Sequence, residues 1–169
     1  MKLDELNKLD ESDFVNRLGD LFEHSPWVAE QVWPQRPFAS RRELHTHMVQ
    51  LVRQAAHKKQ LTLLRAHPEL AGGEAQAGTL TASSTQEQAS VGLNALTREE
   101  MAQLTRFNRQ YLARFGFPFI VAVRNHTREG IFRELERRLA NDPESEFAMA
   151  LEQVYAIAQI RLETLLDDA

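Results

Sequence analysis

His67 is the residue of this sequence whose type and setting best suit proton transfer. It follows a helical pattern that should end before Pro68, and a Gly72-Gly73 turn comes soon after. The proline stiffens the backbone at His67, and the glycines let the chain approach a small ligand closely. A histidine that only caps a helix C-terminus is the simpler interpretation, and position alone favours it over a catalytic one.

Glu87 and Arg161 are also of types that bind or activate a substrate, and each has a simpler structural explanation. Glu87 stands three residues after Ser84, the spacing of a capping box at the start of a helix. Arg161 borders the apolar stripe of the last helix. It is either an arginine whose stem packs on the core while its head reaches water, or a desolvated guanidinium that binds an anion such as a carboxylated substrate. Spacing leaves both alternatives open.

The six histidines do not predict a metal site. His45 and His47 are the only close pair, and residues two apart on a helix point about 200° apart, so they cannot grip one ion together. We expect His47 in the core. The remaining histidines are expected at the surface or at helix ends: His24, His45, His57 and His126.

Composition excludes several classes of protein. The 169 residues suit one domain spanning 1–169, and the absence of cysteine excludes disulfides, thiolate metal sites and cysteine nucleophiles. A net charge of −4 argues against nucleic-acid binding. No apolar run is long enough to span a membrane, and the N-terminus does not resemble a signal peptide. Residues 166–169 are not a peroxisomal address, so we expect a cytoplasmic protein.

Helix start signals recur along the chain and agree with the apolar spacing after them, which predicts an all-α bundle. Ser25 is the expected N-cap of a helix that starts at Pro26, and Gly116 is the expected left-handed residue that ends the helix before it. Capping boxes are indicated at Ser40 with Glu43, at Ser84 with Glu87 and at Thr97 with Glu100. Residues 74–81 read as a loop. A first short stripe of apolar residues at helical spacing covers residues 14–22. The expected helices after it cover 26–33, 40–55, 61–66, 84–92, 97–115, 127–140 and 144–166.

One segment breaks the helical pattern. The apolar run from Phe117 to Val123 contains a proline and β-branched residues and is too short for a helix of its own. A lone strand would have no partner in an all-helical protein. We therefore expect an extended, buried segment whose backbone groups pair with something else, for which a ligand is one candidate.

Three motifs resemble those of the 2-oxo-4-hydroxy-4-carboxy-5-ureidoimidazoline (OHCU) decarboxylase family. They are HPELAG at 67–72, STQEQ at 84–88 followed by Gly92-Leu93, and RFGFPFIVAV at 114–123. The similarity covers nearly the whole chain, with Glu69 where many members have aspartate and Val91 where many have alanine. The resemblance implies catalytic roles for His67 as proton donor, Glu87 and Arg161. It also implies substrate contacts at Pro68, Ser84, Thr85, Gln86, Glu87, Gln88, Phe119, Ile120, Val121, Ala122 and Val123.

The implied reaction is decarboxylation of OHCU to (S)-allantoin in urate degradation, without a cofactor and by a homodimer. The carbon that loses CO₂ neighbours an imine carbon, so the substrate is its own electron sink. Two alternatives are a hydrolase or isomerase of a related ureide and a non-catalytic helical adaptor. The adaptor interpretation requires no convergence of His67, Glu87 and Arg161.

Overall fold

The computed structural model describes residues 1–167, and these contain α-helices, two short 3₁₀ turns and no strand. The expected all-α class is therefore confirmed. The 3₁₀ turns are Trp33–Gln35 and Val123–Asn125. The α-helices are α1 Leu3–Leu6, α2 Glu11–Leu18, α3 Trp27–Val32, α4 Arg41–Gln54, α5 His57–Arg65, α6 Gly73–Ala77, α7 Ala82–Ser90, α8 Arg98–Phe115, α9 Arg128–Leu139 and α10 Pro143–Leu165.

The chain forms two compact units. The first unit comprises Met1–Ala66 with the chain from Tyr155 onward, and the second unit is His67–Val154. α10 begins in the second unit and ends in the first. A single domain over 1–169 stays a prediction. The C-terminal tetrapeptide 166–169, on which the targeting prediction depended, runs past the described residues. None of the described helices is long and apolar enough to cross a membrane.

In the first unit, α3 packs against α2 and α4 around buried aliphatic and aromatic side chains such as Phe14. Ser40 begins α4 as predicted, since its hydroxyl accepts a hydrogen bond from the Glu43 amide at 3.0 Å. Asn7 fixes the entry to this helix because its side-chain amide donates to the Phe38 carbonyl and accepts from the Phe38 amide, each at 2.9 Å. The Ser40 cap and the Asn7 side chain therefore fix the course of the chain just before α4.

The core of the second unit combines an aromatic cluster with a buried ion pair. The ring of Tyr111 on α8 packs against Phe117 and Phe119 with centroids 5.9 and 5.4 Å apart. Its hydroxyl donates to the carboxylate of Glu146, which also pairs with Arg138. Burial, followed by the hydrogen bond to Glu146, raises the pKa of Tyr111 far above its usual range. The phenol therefore stays protonated and keeps its role as donor.

Three local predictions were wrong. Ser25 does not cap α3: its hydroxyl donates to the Glu23 carbonyl, and Pro26 precedes the first helical residue. The expected loop at 74–81 contains α6, a short helix without an apolar stripe that ends at the left-handed Gly78. His47 is not a core residue, because 32% of its side chain is exposed. It lies at the edge of the Phe38 ring and pairs with the Gln35 side chain.

The N-terminus of α8 permits a direct test of a predicted cap. The Thr97 hydroxyl accepts from the Glu100 amide at 3.1 Å, and the Glu100 side chain accepts from the Thr97 amide. Thr97→Ala removes only the first bond and should lower the free energy of unfolding by about 1 kcal/mol. Urea denaturation measures the change. Thr105→Ala, at an exposed position inside the same helix, is the control and should not be destabilised. Equal stabilities of the two variants would contradict a contribution of the cap.

Candidate functional site

His67 is buried at the point where the chain leaves α5. The helix ends at Arg65, with Ala66 as its last capping residue, so the predicted stop before Pro68 is confirmed. Only 7% of His67 is exposed. A buried imidazole next to a proline has little freedom to reorient, which suits a group that must deliver a proton to one face of a substrate.

The loop after His67 is held by two buried amide side chains. The Gln88 side-chain oxygen accepts from the Ala71 amide at 2.9 Å, and Asn108 donates to the Leu70 carbonyl at 3.0 Å. Ala71 has a φ of 48°, a left-handed conformation that is strained for a residue with a side chain. A Cβ at Gly72 would lie 2.7 Å from the Cβ of Glu69, so only glycine fits this turn. The loop is therefore a tight, fixed connection.

Helix α7 carries the second motif, and its start differs from the prediction. Thr81 is the N-cap, since its hydroxyl accepts from the Ser84 amide at 3.2 Å, so Ser84 and Glu87 do not form a capping box. Thr81 lies three residues before Ser84, and the same local pattern allowed either residue to begin the helix. Glu87 consequently falls in the second turn rather than the first. The structural explanation for Glu87 as part of a cap does not hold.

The side chains of α7 divide into a buried and an exposed set. Ser84 and Gln88 are buried, Glu87 is half-buried, and Thr85 and Gln86 are exposed. Ser84, Glu87 and Gln88 share one face because they are separated by three or four residues. This face includes Gln88, which holds the His67 loop. The first two motifs are therefore joined by direct hydrogen bonds within the second unit.

The third motif continues beyond α8 into the segment 117–123, which is buried throughout. Residues 117–122 belong to no helix, and Val123 begins a 3₁₀ turn. The expectation of a buried segment paired with something other than a strand is confirmed. The Ile120 carbonyl accepts from Arg138 at 2.6 Å, and the Ala122 amide donates to Gln153 at 3.0 Å. α7 packs against the 3₁₀ turn Val123–Asn125 at the end of the segment. All three motifs thus adjoin within the second unit.

A cavity of about 340 Å³ adjoins α7. Thr85 and Gln88 of α7 line it, together with Ala71 from the loop after His67, residues of α6 and the start of α8, and its walls carry no charged side chain. His67, Glu87 and the segment 117–123 are not among its lining residues. The cavity therefore borders the His67 loop and two predicted substrate contacts, Thr85 and Gln88, but none of its lining residues is an acid or a base.

Arg161 lies in the first unit, where 8% of the residue is exposed. One guanidinium nitrogen donates to the buried carboxylate of Glu23 at 2.7 Å, and another donates to the Asp20 carbonyl at 2.9 Å. An arginine head in water is therefore excluded. The desolvated guanidinium of the other alternative is present, and it already has a carboxylate partner that the sequence did not reveal.

Residues outside the three motifs hold the site segments in place. Asn108, Arg138, Glu146 and Gln153 were not predicted to act in the site, although Arg138 follows Ile131 and Leu135 on the buried stripe of α9. This helical spacing, which places Arg138 on the buried face of α9, was the signal present in the sequence. In residues 1–167, no group of three His, Asp or Glu side chains is arranged to hold a metal ion.

Comparison with known proteins agrees with these motifs. A model of the family described as OHCU decarboxylase matches residues 7–163. The chain is 43% identical to the 2-oxo-4-hydroxy-4-carboxy-5-ureidoimidazoline decarboxylase of Haloferax volcanii over 96% of its length and 94% of that protein. It is 41% identical to the mouse (Mus musculus) protein of the same name, over 98% of its length and 93% of that protein.

A solved structure extends the similarity to the fold. The crystal structure of (S)-allantoin synthase superposes with a TM-score of 0.80 at 30% identity, over 99% of this chain. This chain spans 55% of the length of that solved chain. Because the family model and the relatives match nearly all of it, the chain belongs to the OHCU decarboxylase family.

Proposed function

We propose that this protein decarboxylates OHCU to (S)-allantoin in urate degradation. The observation that carries the proposal is the meeting of the three motifs in the second unit: the buried His67, the Ser84 to Gln88 face of α7 and the extended segment 117–123. The relatives that bear the decarboxylase name match this chain over nearly their whole length. A helical adaptor would have no need to bring a buried histidine to such a place.

The reaction needs acid-base catalysis and positioning rather than an external electron acceptor. When the bond to the carboxylate breaks, its electron pair forms a carbon–carbon double bond, and the imine nitrogen takes up a proton. The enamine-like intermediate then loses its hydroxyl proton as the carbonyl forms, and the neighbouring carbon is protonated. The carboxylate substrate thus consumes one proton and gives allantoin and CO₂.

We assign His67 to the proton transfers of the second stage. Its imidazole takes the hydroxyl proton and delivers a proton to one face of the prochiral carbon, which fixes the enantiomer. Glu87 orients this imidazole or binds the ureido N–H groups of the substrate. Pro68 and the face of α7 form the walls of the site. Backbone groups of the segment 119–123 pair with the flat, amide-rich ligand.

Arg161 is assigned to a carbonyl oxygen of the substrate. Glu23 and the Asp20 carbonyl fix the plane of its guanidinium, as their 2.7 and 2.9 Å hydrogen bonds indicate. Because Glu23 balances its charge, the group offers directed hydrogen bonds more than net positive charge. This suits a carbonyl oxygen on which negative charge develops as CO₂ leaves.

We further propose that the protein acts as a cytoplasmic homodimer, as its family resemblance implies. One chain has a mass of 19.4 kDa. Light scattering after size-exclusion chromatography should therefore give about twice this mass at micromolar concentration. A monomer mass across a hundredfold concentration range would contradict the dimer and leave the catalytic proposal intact.

The activity itself is tested with freshly generated OHCU, whose spontaneous breakdown to racemic allantoin sets the background. Circular dichroism should show optically active allantoin only when the protein is present, with release of CO₂. Ammonia release or simple ring opening would instead support a ureide hydrolase or isomerase. Allantoin formed only at the background rate and without enantiomeric excess would refute the proposal.

His67→Asn should lower kcat about 10²- to 10⁴-fold, the usual contribution of a positioned acid or base. The allantoin that still forms should approach a racemic mixture, because unassisted protonation has no facial preference. His57→Asn is the matched control, since His57 is exposed at the start of α5, and it should retain full activity. Near-wild-type rate and enantiomeric excess in His67→Asn would show that another group delivers the proton.

Arg161 requires a test that separates catalysis from folding. Arg161→Met leaves Glu23 buried without its main partner, and removing one member of a buried pair costs about 3–5 kcal/mol of stability. The double variant Arg161→Met/Glu23→Leu should recover most of this loss, because apolar replacements of both partners are tolerated. Its kcat/KM should nevertheless stay at least tenfold below wild type. Recovery of both stability and activity would make the role of Arg161 purely structural.

A further inference from the structure

The segment 117–123 is fixed at two points. The Ile120 carbonyl accepts from a guanidinium nitrogen of Arg138 at 2.6 Å, and the Ala122 amide donates to the Gln153 side-chain oxygen at 3.0 Å. Ile120 and Ala122 are the two neighbours of Val121 in the chain. Arg138 and Gln153 therefore hold the backbone on either side of Val121.

The backbone of Val121 is buried but makes no hydrogen bond to any of residues 1–167. Buried peptide groups are nearly always paired in native proteins, because an unpaired group loses the free energy of its bond to water. A ligand with both amide donors and carbonyl acceptors would satisfy this residue. The unpaired backbone thus lies between the two fixed points of the segment.

The environment of Arg138 explains why its direction is fixed. Arg138 and Glu146 are completely buried, and a second guanidinium nitrogen, Nε, lies 2.7 Å from the carboxylate. The guanidinium also stacks over the ring of Phe119, with its carbon 4.5 Å from the ring centroid. Glu146 is itself held by the Tyr111 hydroxyl and by the Asn141 side chain at 3.0 Å. These contacts fix the plane of the guanidinium, so its third nitrogen points at the Ile120 carbonyl in only one orientation.

Stability alone does not account for a buried ion pair at this place. Taking both charges out of water costs several kcal/mol, and apolar side chains of similar volume often give an equally stable core. What such side chains cannot supply is a donor directed at the Ile120 carbonyl. The charged pair therefore fixes the direction of this donor. The carbonyl that the donor binds lies in a segment predicted to contact the substrate.

We propose that Arg138, held by Glu146, and Gln153 are positioning residues that fix the segment 119–123 on both sides of Val121 so that the Val121 backbone pairs with amide groups of the substrate. The inference deepens the proposed function and rests on it. Neither side chain touches the substrate. Both act through the main chain, so their loss should weaken recognition and facial selectivity without removing a reacting group.

Gln153 gives the sharper test because it is only half-buried and a substitution there should fold. Gln153→Met removes the acceptor for the Ala122 amide, whereas Gln153→Glu keeps an acceptor oxygen in the same place. With OHCU as substrate, Gln153→Met should lower kcat/KM about tenfold, mainly through KM, and reduce the enantiomeric excess. Gln153→Glu should stay within about twofold of wild type. Gln159→Met, at an exposed position of the same helix, is the control.

The double variant Arg138→Met/Glu146→Leu tests the other fixed point. It replaces the buried pair with apolar side chains and should remain folded, with a thermal midpoint lowered because the Tyr111 hydroxyl and the Ile120 carbonyl lose their partners, and it should show the same rise in KM and loss of enantiomeric excess. Arg137, which is exposed, pairs with the partly exposed Glu134 on the same helix α9. The corresponding control, Arg137→Met/Glu134→Leu, should leave both kinetic parameters unchanged.

Hydrogen exchange supplies a readout that does not depend on activity. The Ala122 amide should exchange at least tenfold faster in Gln153→Met than in wild type or Gln153→Glu, because its acceptor is gone. A wild-type protein that gave only racemic allantoin at the background rate would defeat the decarboxylase proposal itself. With an active wild type, unchanged KM and enantiomeric excess in Gln153→Met would overturn the positioning role alone, whatever the exchange rates.

Discussion

The second unit depends on one buried ion pair. Arg138 on α9 and Glu146 at the start of α10 neutralise each other, and Tyr111 on α8 donates to the same carboxylate. Through the Ile120 carbonyl, this group also reaches the extended segment. Three helices and the segment 117–123 are therefore linked through the Arg138–Glu146 ion pair. Removing any member leaves another polar group buried without its partner, which is costly where water cannot enter.

Irregular segments need such contacts because they lack the hydrogen-bond ladder that sets helix geometry. The loop after His67 is held in the same way, by the buried side chains of Gln88 on α7 and Asn108 on α8. Their amides fix a strained left-handed residue, Ala71. The two segments proposed to carry the chemistry are thus both held by buried polar side chains. Strain and buried polarity occur together in the segments proposed to orient the substrate.

Prediction from sequence succeeded where a single local signal decides the structure, and it failed where two local signals compete or where the partner is distant. Ser40, Thr97 and Gly116 end or begin helices as their neighbours in sequence indicate. The start of α7 was misplaced because Thr81 and Ser84 offer equivalent local signals. The ion pairs of Arg138 and Arg161 join residues far apart along the chain or on different helices. A charged residue on a buried stripe indicates that a partner exists, but not which residue it is.

The pairing of Arg161 with Glu23 bears on how the reaction is driven. A free arginine would bind the carboxylate of the substrate tightly, and this would stabilise the ground state that must lose CO₂. Because the Glu23 carboxylate lies 2.7 Å from the guanidinium and neutralises it, the attraction for the substrate carboxylate is much weaker. In the role proposed for Arg161, the guanidinium then favours an oxygen that gains charge during the reaction over one that loses it. On this proposal, a buried carboxylate beside the arginine, which looks unfavourable for binding an anionic substrate, favours its decarboxylation.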